Sequence, residues 1–226
     1  MTEFNTWRSL VDGTVISGIP DRTVLKPESD DLDSFTVEAG TIDSWEINDN
    51  DPVFDEPLSL KFSQAGDGTQ SILSELGNGL DYYPEFGDAV WIWVQPTEPT
   101  RAATLSVMGD NGGSLLNDNV TSLITRDDSE FEMRVDGNET VTSQSFEDKM
   151  YLIRIETAFA DGDLDVESIL HDGPSRDDDV IATLTDTDFD TSLNNDRRVA
   201  FQEWGDQDDF VIDRIVADEG GGDPAV

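Results

Sequence analysis

LDYYPEFGDAVWIWVQ, residues 80–95, is the stretch that decides the fold. A turn punctuated by proline and glycine leads into AVWIWV, residues 89–94, the most apolar run of the chain. This run is too short for a typical helix and consists mostly of residues that favour β-strands. Alternation places Trp91 and Trp93 on one face and the aliphatic residues on the other. Because both faces are apolar, the run predicts a central strand covered on both sides in a two-layer sandwich.

The rest of the chain is predicted to be sheet. Segments with strand character recur at intervals of roughly 8 to 15 residues after residue 34, which is typical of an all-β sandwich, and no segment has sustained helical periodicity. The predicted strands lie near residues 35–38, 44–47, 58–62, 71–74, 89–94, 104–108, 122–126, 130–135, 139–143, 149–157, 164–170, 179–184, 198–204 and 210–216.

The clearest predicted hairpin starts with EFEMRV, residues 130–135, which a favoured DG turn joins to the next strand. The apolar residues of this strand share one face, and Glu130, Glu132 and Arg134 share the other. We therefore expect a strand with one buried face and one face in solvent.

The chain of 226 residues fits a single large β domain. We predict an N-terminal arm or edge strand over residues 1–30, which would serve as an attachment segment. A β-sandwich follows over residues 31–218, and the Gly-rich residues 219–226 form a flexible tail.

Charge is the strongest compositional signal, with 51 acidic residues against 13 basic ones and a net charge of −38. Acids are spread along the chain with apolar runs between them, which argues against disorder. Such self-repulsion is screened at molar salt, where the Debye length is about 3 Å. The composition therefore predicts a protein adapted to brine, and it makes nucleic acids and polyanionic glycans poor partners.

Other classes are excluded by what the sequence lacks. The chain has no cysteine, which excludes disulfides and thiolate sites. No stretch approaches the roughly 18 apolar residues of a membrane span, so no membrane insertion is expected. MTEFNTWRSLVDG, the start of the sequence, lacks a basic segment followed by an apolar one, so we expect synthesis in the cytoplasm without a signal peptide.

Several motifs carry a resemblance to a known family. They are the long strand KMYLIRIETAF, the segments DGDLDV and HDG, and the closing strand FVIDRIVA, together with a YP..GD motif at residues 83–88. Residues 33–218 resemble the concanavalin A-like jelly roll with laminin-G-like topology, and the YP..GD motif is similar to that of laminin-G-like proteins of haloarchaea and their viruses. The resemblance implies an all-β fold, a two-sheet antiparallel β-sandwich. Families with this fold include lectins, adhesive modules, virion proteins and glycoside hydrolases.

The hydrolase branch of this fold places two catalytic carboxylates on one strand. The nearest candidates are Asp163, Asp165 and Glu167, but chance alone predicts such patterns in a chain this acidic, and the Glu-x-Asp-x-x-Glu signature of the branch is absent. His171, the only histidine, excludes a histidine-rich metal site and is expected at the surface of a turn. We therefore predict no catalytic residues and no enzyme.

The resemblance also implies a calcium site, because jelly rolls often hold this ion through oxygen ligands at a sheet edge. Asp213 of the closing-strand motif is the candidate ligand, with Asp33 of the opening strand as its partner. For glycans, exposed aromatic rings are the usual platform, and Tyr82, Tyr83 and Trp204 are the candidates because they adjoin Gly, Pro or Asp.

Three functions follow as hypotheses. The first is a non-enzymatic virion structural protein of a haloarchaeal virus, a homo-oligomeric fibre, spike or capsid decoration subunit that contacts other virion subunits and host surface glycans. It would be made in the host cytoplasm and displayed on the virion surface. The second is a glycoside hydrolase or lyase on the same fold. The third is a purely structural sandwich or cell-surface adhesive module that binds no sugar.

Overall fold

A computed structural model describes the backbone of fifteen stretches of the chain. They are residues 7–8, 15–16, 21–25, 35–39, 42–48, 59–64, 70–75, 80–96, 103–109, 119–125, 128–135, 138–160, 163–189, 199–204 and 209–218. Side chains are described for part of these stretches, chiefly residues 80–96, 128–135, 138–157, 165–186 and 211–218.

Seventeen strands occur in the described stretches, with no helix long and apolar enough to cross a membrane among them. In chain order they are β1 Trp7–Arg8, β2 Val15–Ile16, β3 Asp21–Leu25, β4 Thr36–Ala39, β5 Ile42–Asn48, β6 Ser59–Gln64, β7 Gln70–Glu75, β8 Ala89–Pro96, β9 Ala103–Gly109, β10 Asn119–Thr125, β11 Glu130–Val135, β12 Asn138–Ser143, β13 Tyr151–Ala160, β14 Asp163–His171, β15 Val180–Phe189, β16 Val199–Trp204 and β17 Asp209–Asp218.

The strands form two large antiparallel sheets. The eight-stranded sheet has the order β15-β14-β13-β8-β17-β6-β5, and β3 pairs with β17 beside this path. The seven-stranded sheet has the order β12-β11-β10-β9-β16-β7-β4. The short strands β1 and β2 pair with each other. Because β3 belongs to the eight-stranded sheet, this part of the predicted N-terminal arm is a sheet strand.

The core lies between the two sheets and is filled from both. Strand β8 contributes its aliphatic face, Val90, Ile92 and Val94, and every residue of this strand is buried. A pair of hydroxyls also joins the sheets, since Ser122 Oγ of β10 lies 2.7 Å from Ser168 Oγ of β14. The partners satisfy each other, so the core accommodates this polar pair without an unpaired buried hydroxyl. The largest side chains that are fully buried are those of Tyr151, Phe131, Phe201, Leu25 and Ile92.

Each of the fourteen predicted strands overlaps an observed strand. The predicted hairpin is also present, because β11 pairs antiparallel with β12 and Val135 lies opposite Asn138. These elements could be predicted because alternation is a local signal that survives in the folded chain.

One prediction about the hairpin strand is wrong. Glu132 was expected in solvent with Glu130 and Arg134, but only 5% of it is exposed. Its carboxylate pairs with the guanidinium of Arg134, which also contacts Glu139 of β12 at 3.2 Å. Alternation places Glu132 correctly on the outward face; its burial depends on neighbouring strands that the local pattern does not reveal.

The turn before β8 is fixed by hydrogen bonds to a buried carboxylate. Asp88 Oδ2 accepts bonds from Tyr82 Oη at 2.6 Å and from the Glu85 amide at 2.9 Å. The Gly87 amide donates to Thr157 Oγ1 of β13 at 2.8 Å, and the φ of Gly87 is 103°. The aspartate and glycine of the YP..GD motif therefore define the entry into the central strand.

Substitution of Gly87 by alanine is expected to destabilise the protein by about 1–2 kcal/mol, because a side chain disfavours this positive φ. A Cβ at this position would have no atom within 4 Å, so the effect is conformational and not steric. Ser129, with φ 57°, provides the control, since Ser129→Gly should leave stability equal or higher. Urea unfolding at constant molar salt measures both; equal losses for the two variants would contradict the explanation.

Glu132→Gln is expected to flatten the pH dependence of stability. Burial raises the pKa of Glu132 above its ordinary value of 4.5 by more than Arg134 lowers it. The folded state thus holds this proton more tightly than the unfolded chain, so stability present below pH 4.5 is lost as the pH rises through the raised pKa. Urea titrations across this pH range should show the loss of stability in the parent protein and a smaller loss in Glu132→Gln. Glu130→Gln is the control, because Glu130 is a less buried acid on the same face, and it should lose as much stability as the parent.

Candidate functional site

Charged and aromatic side chains gather on the face of the eight-stranded sheet that points away from the core. Strand pairing sets Trp91 of β8 opposite Arg154 of β13, and Glu156 of β13 opposite Glu167 of β14. We use the name outer-face cluster for these four residues together with Asp218 of β17 and Arg176 of the loop that follows β14. Their positions follow from alternation, because the even-numbered residues of β13 point outward when Tyr151, Ile153 and Ile155 enter the core.

Trp91 is the centre of the outer-face cluster. The Arg176 guanidinium carbon lies 4.2 Å from the ring centroid of Trp91, and that of Arg154 lies at 4.8 Å. The indole Nε1 donates a hydrogen bond to Asp218 Oδ2 at 3.0 Å, and Arg176 Nη1 lies 4.0 Å from the same oxygen. The ring is therefore held by two cation–π contacts and one hydrogen bond.

Two carboxylates of the outer-face cluster are buried on neighbouring strands. Glu156 is 2% exposed and Glu167 9%, and Arg154 pairs with Glu156. Burial lowers the pKa of Arg154 and the nearby charge of Arg176 adds to this, whereas Asp218 and Glu167 oppose it. The arrangement offers charged donors and acceptors beside an aromatic ring, which is suited to binding a polyhydroxyl ligand.

The loop at residues 172–179 covers the outward tryptophans and is held together internally. The Asp172 amide donates to Asp179 O at 2.9 Å and closes the base of the loop. Within it, the Ser175 amide donates to Asp178 Oδ2 at 2.8 Å, and the Asp178 amide donates to Ser175 O at 3.1 Å. A Cβ at Gly173 would overlap the Asp178 carboxylate, so a side chain at this position would displace Asp178.

The loop is also attached to the sheet beneath it. Trp93 Nε1 donates to Pro174 O at 2.7 Å, and Lys149 Nζ donates to Asp172 Oδ1 at 2.8 Å. The hydrogen bond to Asp172 raises the pKa of Lys149. Together with Met150, Leu152 and Val216, the two outward tryptophans form a second apolar cluster separate from the main core. The prediction that β8 is covered on both faces is thus confirmed. The second sheet covers one face, and the loop covers the other.

Two of the three predicted glycan-stacking residues, Tyr82 and Tyr83, have described side chains. Tyr83 lies in the main core with 6% exposed, and its Oη accepts a hydrogen bond from the Leu80 amide, which argues against a role in stacking. Tyr82 is half-buried, with the guanidinium of Arg22 5.1 Å from its ring. Trp204 is the last residue of β16, and its side chain lies outside the described residues.

The calcium prediction stays a prediction. Asp213 is buried at the point where the register of β17 shifts against β8, between Ile212 and Arg214. Asp33 lies outside the described residues. Within the described ones, no three His, Asp or Glu side chains form a group that could hold a metal ion.

Two other sequence candidates lie on the outer face of the eight-stranded sheet. Asp165 and Glu167 both point outward and are buried, whereas the side chain of Asp163 is not described. His171 was expected at the surface, but this is wrong, because only 6% of it is exposed. Its Nδ1 lies 3.1 Å from Asp178 O, so the loop that it precedes folds back over it.

Arg154 and Arg176 were not singled out by the sequence analysis. Arg154 could have been found, because alternation in β13 and β8 places it on the same face as Trp91 once the two strands are paired. Arg176 belongs to a loop without periodicity, and no local signal brings it to the sheet.

Several solved structures share this architecture. No family model and no curated protein matches the sequence. Among solved structures, the lectin UEA-II, complexed with galactose, superposes with a TM-score of 0.52 at 10% identity over 88% of this chain and 96% of its own. The carbohydrate esterase of the Shiga toxin-encoding bacteriophage phi24B gives a TM-score of 0.52 at 14% identity over 88% and 98%. The fold is a concanavalin A-like jelly roll. At these identities the likeness concerns the fold, and a Shewanella oneidensis MR-1 protein of unknown function is similar too, with a TM-score of 0.50 at 9% identity over 98% and 94%.

Arg154→Met is expected to destabilise this jelly roll by about 3 kcal/mol, because it leaves the buried carboxylate of Glu156 without its cation. Solvent screening keeps the loss of stability at the low end of the range for a buried ion pair, since the Arg154 side chain is 29% exposed. The double variant Arg154→Met, Glu156→Gln should recover at least half of the loss. Urea unfolding of both single variants and the double variant gives the coupling energy, and strictly additive losses would refute the pairing.

Proposed function

We propose that the protein binds glycans without acting on them, and that Trp91, Arg154, Glu167 and Asp218 of the outer-face cluster form the binding site. The observation that carries the proposal is the placement of Trp91 among Arg154, Glu167 and Asp218 on an outward sheet face. A tryptophan ring stacks on the apolar face of a sugar, and charged side chains orient its hydroxyls. The lectin with a similar fold, UEA-II, was solved with galactose, which supports a sugar as the ligand.

The proposed ligand is a neutral glycan. The whole chain carries a net charge of −38, which repels anions unless salt screens it. The outer-face cluster is itself mixed, with the two guanidinium groups of Arg154 and Arg176 against the carboxylates of Glu156, Glu167 and Asp218. Such a site has no excess positive charge with which to select a uronate or a sulfated sugar.

The proposed setting is the surface of a virus that infects a salt-adapted archaeon, where the chain is a fibre, spike or decoration subunit. The acidic composition supports a saline environment, and the resemblance of the YP..GD motif supports the viral one. The similar phage esterase shows that this fold also occurs in a protein of viral origin. In this setting we propose a homo-oligomer, because fibres and spikes repeat one chain with closed symmetry.

The test is binding of labelled protein to haloarchaeal cells at molar salt, with and without periodate oxidation of the surface glycans. We expect saturable binding that oxidation abolishes. Glu167→Gln should weaken binding about tenfold, equivalent to ~1.4 kcal/mol. Glu139→Gln is the matched control, because it makes the same change at an exposed position of the other sheet. Binding that survives oxidation, or that Glu167→Gln leaves unchanged, would refute the proposed site.

A hydrolase is the second candidate, favoured by Glu156 and Glu167, which lie directly opposite each other on neighbouring strands. Directly paired residues have Cβ atoms about 4.5–5.5 Å apart, which is compatible with the carboxylate spacing of a retaining glycosidase. The two candidates are distinguished by incubating the protein with isolated host glycans and measuring released reducing sugar. Release that Glu167→Gln abolishes while binding persists would favour the hydrolase over the binding protein.

A further inference from the structure

We infer that the loop at residues 172–179 is a lid over the proposed glycan site, and that Arg176 holds it shut by occupying Trp91. The inference rests on the proposed function, because it concerns access to the same ring. Trp91 points away from the core, yet only 6% of it is exposed. The guanidinium of Arg176, 4.2 Å from the ring centroid, lies where a stacked sugar would be expected.

The lid is attached to the sheet by contacts that water or a ligand can replace. The Pro174 carbonyl accepts the Trp93 indole hydrogen bond, and the Arg176 guanidinium reaches Trp91 and Asp218. Lys149 also donates to Asp172, and His171 Nδ1 lies 3.1 Å from Asp178 O. The loop sequence, DGPSRDDD, has no aliphatic side chain other than proline to bury against the sheet. Opening therefore exposes little apolar surface of the loop itself, and its main cost is the exposure of the Trp91 and Trp93 rings, which a stacked sugar would cover again.

Hydrogen bonds within the lid should keep it together when it opens. Its base is closed by the hydrogen bond from the Asp172 amide to Asp179 O, and Ser175 and Asp178 are joined by the two bonds described above. None of these bonds involves the sheet, so they persist when the loop swings away. Arg154, which is on β13, would stay beside Trp91 and remain available to a bound sugar.

The lid lowers the apparent affinity for any ligand that needs the ring of Trp91. When only a fraction of the molecules is open, the apparent dissociation constant rises by the inverse of that fraction. Removing the Arg176 contact should therefore tighten glycan binding, whereas removing an ordinary contact residue weakens it. This difference in sign separates a lid from a simple binding residue.

The experiment compares Arg176→Ala with Asp177→Ala, an exposed neighbour in the same loop. The first readout is acrylamide quenching of Trp91 fluorescence, obtained as the difference between each protein and its Trp91→Phe counterpart at molar salt. Arg176→Ala should increase the quenching of Trp91 severalfold, and Asp177→Ala should not. Gly173→Ala, which displaces Asp178, is a second way to disturb the lid and should also increase quenching.

The second readout is binding to the haloarchaeal cells used above. Arg176→Ala should tighten binding about fivefold, the order expected for loss of one cation–π contact. Increased quenching without binding by any variant would support the lid and refute the glycan site. Unchanged quenching in both Arg176→Ala and Gly173→Ala would overturn the lid, and so would weaker binding by Arg176→Ala at unchanged quenching, which would make Arg176 a ligand contact.

Discussion

Burial of β8 on both faces is the constraint on which the architecture depends. A strand that is apolar on one face needs one cover, whereas β8 needs two, since all eight of its residues are buried. The second sheet covers the aliphatic face, and the outward tryptophans are covered by a loop, by neighbouring side chains and by two guanidinium groups. The hydrophobic effect therefore accounts for the sandwich and also for the position of the candidate site.

The two covers differ in physical kind. The interface between the sheets is dominated by aliphatic and aromatic side chains, and its hydroxyl pair, Ser122 and Ser168, is mutually satisfied. The outward cover uses charged groups stacked on indole rings, which retain part of their hydration and can be exchanged for other polar partners. A fold can thus keep a rigid core and an adaptable surface on opposite faces of one strand.

Most of the fold could be predicted from the sequence, because alternation and turn residues are local signals. Fourteen of the described strands, the hairpin at Val135 and the faces of β8 and β13 were accessible in this way. The candidate site was less accessible. His171 and Glu132 lie on outward faces, and alternation does not reveal what covers such a face. The loop that follows His171 folds back over it, and Glu132 pairs with Arg134. Tyr83 adjoins a proline in the sequence, as an exposed ring often does, but its turn folds inward and places the ring in the core.

The order of strands has a consequence for how the chain can fold during synthesis. In the eight-stranded sheet, β17 separates β8 from β6, and in the seven-stranded sheet β16 separates β9 from β7. Until residues 199–218 have left the ribosome, the seven-stranded sheet consists of two unconnected parts, and the eight-stranded sheet consists of two parts and the single strand β3. All of these parts have open edges. Asp218 pairs with Ala89 across 129 positions of the chain, so the final closure is a non-local event with a slow search. Strands β16 and β17 therefore complete the two sheets. A nascent chain that stops before them exposes unpaired strand edges through which it would aggregate.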